Sequence, residues 1–312
     1  MSYAKASAIE MGSSGLSLYL SERNLNNMDQ ASTLILAISL IIIMLGMGLS
    51  LVAADFKRVF LYPKAVVVGL LNQLVLLPLI AFGVTMVFPT RPEIAVGLMI
   101  LAACPGGPTS NLIAHLAKAD TALSVSLTAL SSFITLITIP FIVNLSLTHF
   151  LDAGTVIKLD VMNTIIQILA IVIIPVTLGM LIRRYKEAFA MKMEKPVRIA
   201  SGIVLILVIV GLVIKEKDNI VSYLQEAGLV ALALNVVTML VGYASARMLS
   251  INKKMARSIS IESGIQNGTL AITIAVVLLG STEYAITAAV YSLIMFASGG
   301  VVIYAGSRAH QR

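Results

Sequence analysis

The sequence is poor in charge and contains a single cysteine. Only 12% of its 312 residues are Asp, Glu, Lys or Arg, whereas 58% are hydrophobic and the mean hydropathy is +0.97. A soluble domain cannot bury so much apolar surface, so the composition predicts an all-α polytopic membrane protein. A transmembrane β-barrel would show short alternating segments instead of long apolar runs. The lone cysteine, Cys104, excludes a disulfide within the chain.

The motifs of common enzymes are also missing. There is no HExxH, CxxC or P-loop pattern, and the three histidines (His115, His149 and His310) lie at the ends of apolar stretches or in the C-terminal tail. We therefore predict that the protein is not an enzyme. The net charge of +7 does not indicate nucleic-acid binding, because the basic residues lie between apolar stretches, where they act as topology signals.

Long apolar stretches predict nine transmembrane helices in a lipid bilayer. Apart from Glu262 they contain no charged residue, and they are 31–54, 65–88, 94–117, 121–148, 161–182, 199–214, 228–246, 258–282 and 285–307. Sixteen of the 22 Lys and Arg residues then fall on one side of the membrane, which predicts an outer N-terminus and a cytoplasmic C-terminus. Residues 1–30 form a polar outer segment without the apolar core of a secretory signal. We expect a bacterial inner membrane as the location.

Glu262 indicates an ion site. It is the single charged side chain inside the predicted spans, and it opens the run Glu-Ser-Gly-Ile-Gln-Asn-Gly at 262–268. A charged residue within a membrane is costly, so it marks function by default. A carboxylate followed by amides and glycines is typical of a site for a cation, which points to ion-coupled transport.

The third and eighth stretches are both interrupted. The third contains Cys-Pro-Gly-Gly-Pro-Thr-Ser-Asn at 104–111, the eighth contains the Glu262 run, and each is preceded by two spans and followed by one. Residues 31–150 and 151–308 are therefore predicted to be inverted repeats of four and five spans, the first lacking its first helix. Paired interruptions in two halves indicate a transporter site. The alternative is that the prolines only kink a continuous helix.

Oxygen-bearing side chains cluster near both interruptions, as a hard cation requires. Ser124 and Thr128 are four residues apart and share a helix face, although serine and threonine also bond to their own helix backbone. Asn72 and Gln73 interrupt the second stretch, where contact between helices is the alternative to ion binding.

Five segments together resemble the bile acid:sodium symporter family over about residues 31–308. They are Gly-Met-Gly-Leu at 46–49, Gln73, the 104–111 run, Ala-Leu-Ser-Val-Ser at 122–126 and the 262–268 run. The resemblance implies a panel domain (about 31–54 and 161–214) beside a core domain (about 65–148 and 228–307) in which two discontinuous helices cross.

The resemblance also implies two sodium sites and a substrate site. The first sodium site would consist of Ser110, Asn111, Ser124, Thr128 and Glu262. The second would consist of Gln73, Glu262, Ser263, Ile265 and Gln266, with Ser263 and Ile265 contributing backbone carbonyls. Thr109, Pro108 and Asn267 are the implied substrate contacts.

The function that the resemblance implies is sodium-coupled import of an organic anion by alternating access. The anion would be a bile-acid-like steroid or a smaller carboxylate metabolite. Some family members have Thr at the position of Pro108 and His-Asn where this chain has Met295-Phe296, so the substrate side is altered while the sodium side is intact.

Two other functions are compatible with the sequence. A proton-coupled transporter would use Glu262 as its proton carrier and would need none of the surrounding oxygens. A non-transporting membrane sensor would need a soluble signalling domain, for which the longest inward segment, 183–198, is too short. No obligate protein partner is predicted.

Overall fold

A computed structural model describes residues 34–35, 37–52, 61–151, 161–215 and 220–311. The predicted outer segment 1–30 lies outside these residues. The described part of the chain is helical and has no β-strand. Its α-helices are α1 Ala37–Ser50, α2 Pro63–Leu71, α3 Leu77–Val87, α4 Pro92–Ala103, α5 Pro108–Leu116, α6 Thr121–Phe150, α7 Val161–Ile168, α8 Ile174–Tyr185, α9 Glu187–Lys215, α10 Ile220–Met248, α11 Lys253–Gly264, α12 Gly268–Thr273 and α13 Thr282–Gln311.

Several of these helices are long and apolar enough to cross a bilayer. Among the described residues they are Pro63–Val87, Val221–Met248 and Thr282–Arg308, and α6 adds a fourth if its two halves form one span. The two halves of α6 are bent by 62° near residue 136. This position is four residues before Pro140, whose ring clashes with the carbonyl there. A polytopic membrane protein is thus supported, whereas the count of nine spans and the inverted repeat remain predictions.

The basic segment 183–198 is helical and not a loop. Helix α8 ends at Tyr185, α9 begins at Glu187, and the single residue Lys186 separates them. Lys, Glu, Met and Ala are strong helix formers, so after the break at Lys186 the basic segment forms the first turns of α9. The sixth apolar stretch, predicted from residue 199, is accordingly the second half of a 29-residue helix.

Two helical segments contain a π-helical turn beside a proline. Residues 72–76 are π-helical between α2 and α3, and 169–173 are π-helical between α7 and α8. Pro78 and Pro175 each follow two residues after the π turn. A proline lacks its N–H and clashes with the carbonyl four residues earlier, so the helix widens at this point. The first of these turns determines the direction of Gln73.

Helices α1, α8 and α9 pack closely through glycines. A side chain on Gly48 would overlap the Val176 carbonyl of α8, and Gly179 lies against the backbone of Gly48. Gly46 of α1 faces Val197 of α9 in the same way. These helices fall in the ranges that the family resemblance assigns to a panel domain, and the division into panel and core remains a prediction.

Candidate functional site

The two interrupted helices meet at their breaks. Helix α4 ends at Ala103 and the chain resumes as α5 at Pro108, so the alternative of a merely kinked helix is wrong. Gly106 forms an isolated antiparallel bridge with Gln266 of the second break. The backbone N–H of Asn267 donates to the Pro105 carbonyl at 2.9 Å. Each break therefore satisfies backbone groups of the other, as unwound chain inside an apolar core requires.

The residues predicted for the first ion site form one cluster. Ser124 and Thr128 of α6 donate to the two carboxylate oxygens of Glu262, at 2.5 Å for Oε1 and 2.8 Å for Oε2. Asn111 Oδ1 lies 2.9 Å from Ser124 Oγ and 3.2 Å from Thr128 Oγ1. Ser110 Oγ lies 3.4 Å from Thr128 Oγ1. Glu262 is only 2% exposed, so its carboxylate has been withdrawn from water.

This cluster has more acceptors than hydrogens. Ser124 and Thr128 each bring one hydroxyl hydrogen, and each lies within hydrogen-bond distance of both Asn111 Oδ1 and a Glu262 oxygen. Because the Ser110 hydroxyl donates to the Gly107 carbonyl, two hydrogens face three acceptor atoms, two of which share a negative charge. A cation among these oxygens, or a proton on the carboxylate, would balance both the surplus of lone pairs and the charge.

Two residues predicted for the second ion site, Gln73 and Gln266, bond to each other and to carbonyls at the two breaks. Gln73 Nε2 donates to the Cys104 carbonyl at 3.1 Å and to Gln266 Oε1 at 2.7 Å. Gln266 Nε2 donates to the Glu262 and Ser263 carbonyls at 3.1 and 2.9 Å. The Oε1 atom of Gln73 is buried and has no hydrogen-bond partner.

Asn72 and Gln73, the polar pair in the second stretch, make different contacts, and these bear on the choice between ion binding and contact between helices. Asn72 Nδ2 donates to the Val68 carbonyl and to Ser245 Oγ of α10, so Asn72 joins two helices. Gln73 instead points to the break. The hydroxyl of Ser263 donates to the Ile259 carbonyl and is thereby engaged within its helix. Ile265 is fully buried and has no side-chain oxygen. Only the backbone carbonyls of these two residues are therefore candidates for ion binding.

A cavity of about 320 Å³ lies between α1 and the first interrupted helix. It is lined by Ile43, Gly46, Met47, Ser50, Pro108, Asn111, Leu112, His115, Thr121, Val125 and Val197. Of the predicted substrate contacts, Pro108 lines this cavity, whereas Thr109 and Asn267 do not. Asn267 lies at the crossing, where its Oδ1 caps the Leu270 N–H and its buried Nδ2 has no hydrogen-bond partner.

Sequence reasoning missed two features of this region. Ser50 and His115 line the cavity, and His115 follows Asn111 by one helical turn, a spacing that the sequence already showed. Asn111 belongs to the carboxylate cluster and also lines the cavity. No group of three or more His, Cys, Asp or Glu that could hold a metal ion occurs in the described ranges.

The sequence is similar to those of known proteins. Residues 37–223 match the Sodium Bile acid symporter family. The chain is 30% identical over 238 residues to the uncharacterized sodium-dependent transporter YocS of Bacillus subtilis, covering 75% of this chain and 71% of YocS. It is 31% identical over 266 residues to the probable chloroplastic sodium/metabolite cotransporter BASS1 of Arabidopsis thaliana, covering 85% of this chain and 65% of that protein.

A human protein is also similar. The ileal sodium/bile acid cotransporter is 28% identical over 264 residues, which cover 84% of this chain and 74% of the cotransporter. All of these relatives are transporters and none is an enzyme, in agreement with the prediction from missing motifs. The chain belongs to the Sodium Bile acid symporter family and is an integral membrane protein of a transporter family.

Proposed function

We propose that the protein imports a small organic anion together with sodium by alternating access. The observation that carries this proposal is the buried Glu262 carboxylate, which is surrounded by hydroxyl and amide oxygens at the crossing of two broken helices. A cation there neutralises the carboxylate and links α5, α6 and α11. The names of relatives from bacteria, plants and humans all refer to sodium.

The proposal includes two sodium ions. The first would bind among Ser110, Asn111, Ser124, Thr128 and Glu262. The second would bind among Gln73, Glu262, Ser263, Ile265 and Gln266. The unpartnered oxygen of Gln73 supports the second site, because a buried acceptor without a partner loses about 1–3 kcal/mol that a cation would restore.

The cavity supports a small carboxylate over a steroid. Its volume of about 320 Å³ is at the lower end of the range for ligand pockets, roughly 300–1,000 Å³. Its described lining holds no Asp or Glu that would repel an anion, and Ser50 and His115 offer polar contacts. We place Pro108, Thr109 and Asn267 at the inner end of the substrate path, where α5 and α12 present their electropositive N-termini.

Asn111 supports coupling between the two ligands. Its Oδ1 belongs to the proposed ion cluster, while the residue also lines the cavity. An ion that binds this oxygen therefore fixes the orientation of the Asn111 amide, which is then in place to bind the anion. By thermodynamic linkage the anion then raises the affinity for sodium by the same factor. The core domain (65–148 and 228–307) would rock against the panel domain (31–54 and 161–214). The two domains would be built from nine spans in two inverted repeats. The protein would lie in a bacterial inner membrane with its C-terminus in the cytoplasm.

Thermal unfolding of the detergent-purified protein tests the sodium part. We expect sodium to raise the unfolding temperature over potassium at equal ionic strength, since a ligand at 100 times its Kd stabilises by about 2.7 kcal/mol. Glu262→Gln should abolish this difference, whereas Glu283→Gln, an exposed site on α13, should retain it. Equal stability of the wild type in both salts, with stability that follows pH instead, would favour proton coupling through Glu262.

A further inference from the structure

The Gly264 carbonyl at the end of α11 has two side-chain partners from neighbouring helices. Asn235 Nδ2 of α10 donates to it at 2.8 Å, and the Tyr291 hydroxyl of α13 donates to it at 2.9 Å. In a continuous helix this carbonyl would accept the N–H of Gly268, but that N–H bonds to the Gln266 carbonyl. The helix break therefore frees the Gly264 carbonyl, and two distant side chains take it over.

The Gly264 carbonyl, the Asn235 amide and the Tyr291 hydroxyl contact one another in the interior of the protein. Asn235 and Tyr291 are both fully buried, and the amide nitrogen of the first lies 3.3 Å from the hydroxyl of the second. A side chain on Gly264 would overlap Met239 of α10, so the glycine is what lets α10 approach the break. Because carbonyls freed in an apolar core must find donors, the pair determines where the chain leaves α11.

The arrangement lies next to the proposed ligands of the second ion. Gly264 stands between Ser263 and Ile265, whose carbonyls are proposed to bind sodium. The Gln266 amide holds the Glu262 and Ser263 carbonyls, whereas the Gly264 carbonyl has the separate partners described above. The carbonyls at the end of α11 thus have two sets of donors, since Gln266 holds those of Glu262 and Ser263 whereas Asn235 and Tyr291 hold that of Gly264.

We propose that Asn235 and Tyr291 are positioning residues that hold the Gly264–Ile265 peptide and thereby set the geometry of the second sodium site. The proposal rests on the sodium-coupled function proposed above. Asn235 Oδ1 is buried without a hydrogen-bond partner, a cost that a purely structural contact between helices would avoid with an apolar residue. The role of the Asn235 amide therefore lies in its Nδ2 donor, which binds the Gly264 carbonyl at the break.

The test compares sodium titrations of thermal stability in Tyr291→Phe, Asn235→Leu and the wild type. Tyr291→Phe removes only the hydroxyl and keeps the packing of the ring, so it reports on the hydrogen bond even if Asn235→Leu does not fold. Thr287→Val is the matched control, because Thr287 lies on the same helix and its buried hydroxyl donates to the Ile94 carbonyl far from the break.

Tyr291→Phe should raise the sodium concentration for half-maximal stabilisation about fivefold, the factor that one hydrogen bond corresponds to. Thr287→Val should lower the unfolding temperature equally in sodium and potassium, without moving the sodium midpoint. An unchanged midpoint in Tyr291→Phe, with equal destabilisation in both salts, would overturn the inference and leave the proposed function intact. A wild type that sodium does not stabilise would overturn both.

Discussion

Gly106 lies so close to Glu262 that any side chain at position 106 would overlap the carboxylate oxygen Oε2. The two residues come from different interrupted helices, and Gly106 is also the residue that bridges to Gln266. The residue at position 106 must therefore lack a side chain for the two breaks to lie this close together at the carboxylate. The φ angle of Gly106 is not positive, so the requirement concerns space and not backbone conformation.

Gly106→Ala is therefore expected to disable the ion site. The added methyl group must displace the carboxylate from Ser124 and Thr128, and overpacking of this kind costs about 1–3 kcal/mol. The sodium midpoint of thermal stabilisation should rise by about tenfold or more. Gly83→Ala is the control, because nothing lies within 4 Å of the added atom there. Equal sodium midpoints in both variants would contradict the steric argument.

Ser124→Ala tests the first ion cluster. It removes one of the two hydroxyls that contact Glu262, which leaves a carboxylate oxygen without that partner and should raise the sodium midpoint by about tenfold. The matched control is Ser132→Ala on the same helix, where the buried hydroxyl donates only to the Thr128 carbonyl within the helix. If the two variants differ in unfolding temperature but not in sodium midpoint, Ser124 has a structural role alone.

The sequence predicted the helix break and the shared face of the site residues better than it predicted the number of spans and the contacts between helices. The prolines and glycines of 104–111 predicted a break, because proline removes a donor, and the break is present. The spacing of Ser124 and Thr128 predicted a shared face, and both contact Glu262. The number of membrane spans, by contrast, remains a prediction, since short, bent and broken helices do not fit a simple length criterion.

Other features could not be predicted because they depend on tertiary contacts. Residue type and spacing did not separate Asn72 from Gln73, which only the family resemblance selected, and in the structure Asn72 bonds to α10 whereas Gln73 bonds to the break. Asn235 and Tyr291 lie in two different helices, and no local pattern shows that they share the Gly264 carbonyl.

An ion pair at the start of α4 should stabilise the fold in a salt-dependent manner. Arg91 binds both carboxylate oxygens of Glu226 and lies over the Tyr223 ring, 4.2 Å from its centre. Both charged side chains are about one-third exposed, so Glu226→Gln should cost no more than about 1 kcal/mol. The loss should shrink at 1 M salt, where charges are screened.

Denaturation of Glu226→Gln in low and high salt measures this contribution. Glu283→Gln serves as the control, because Glu283 is exposed at the start of α13. A loss for Glu226→Gln that does not change with salt would show that the hydrogen bonds of Glu226, and not its charge, account for its contribution to stability.

Filling the cavity should block the anion and spare sodium. Val125 of α6 lines the cavity but is not among the proposed ion ligands, so Val125→Phe should abolish stabilisation by small carboxylates in sodium while leaving the sodium midpoint unchanged. Ile137→Phe is the control, since Ile137 lies on the same helix and is 61% exposed on its outer surface. Lactate, succinate, benzoate and taurocholate are suitable probes because they span a range of sizes.

The same probes test the size argument. A cavity of about 320 Å³ predicts that one of the three small carboxylates stabilises the wild type more than taurocholate does. Because the two ligands are linked, that carboxylate should also lower the sodium midpoint by the factor with which sodium lowers the midpoint for the carboxylate. Stabilisation by taurocholate alone, retained in Val125→Phe, would place the anion outside this cavity and contradict the assignment of a small substrate.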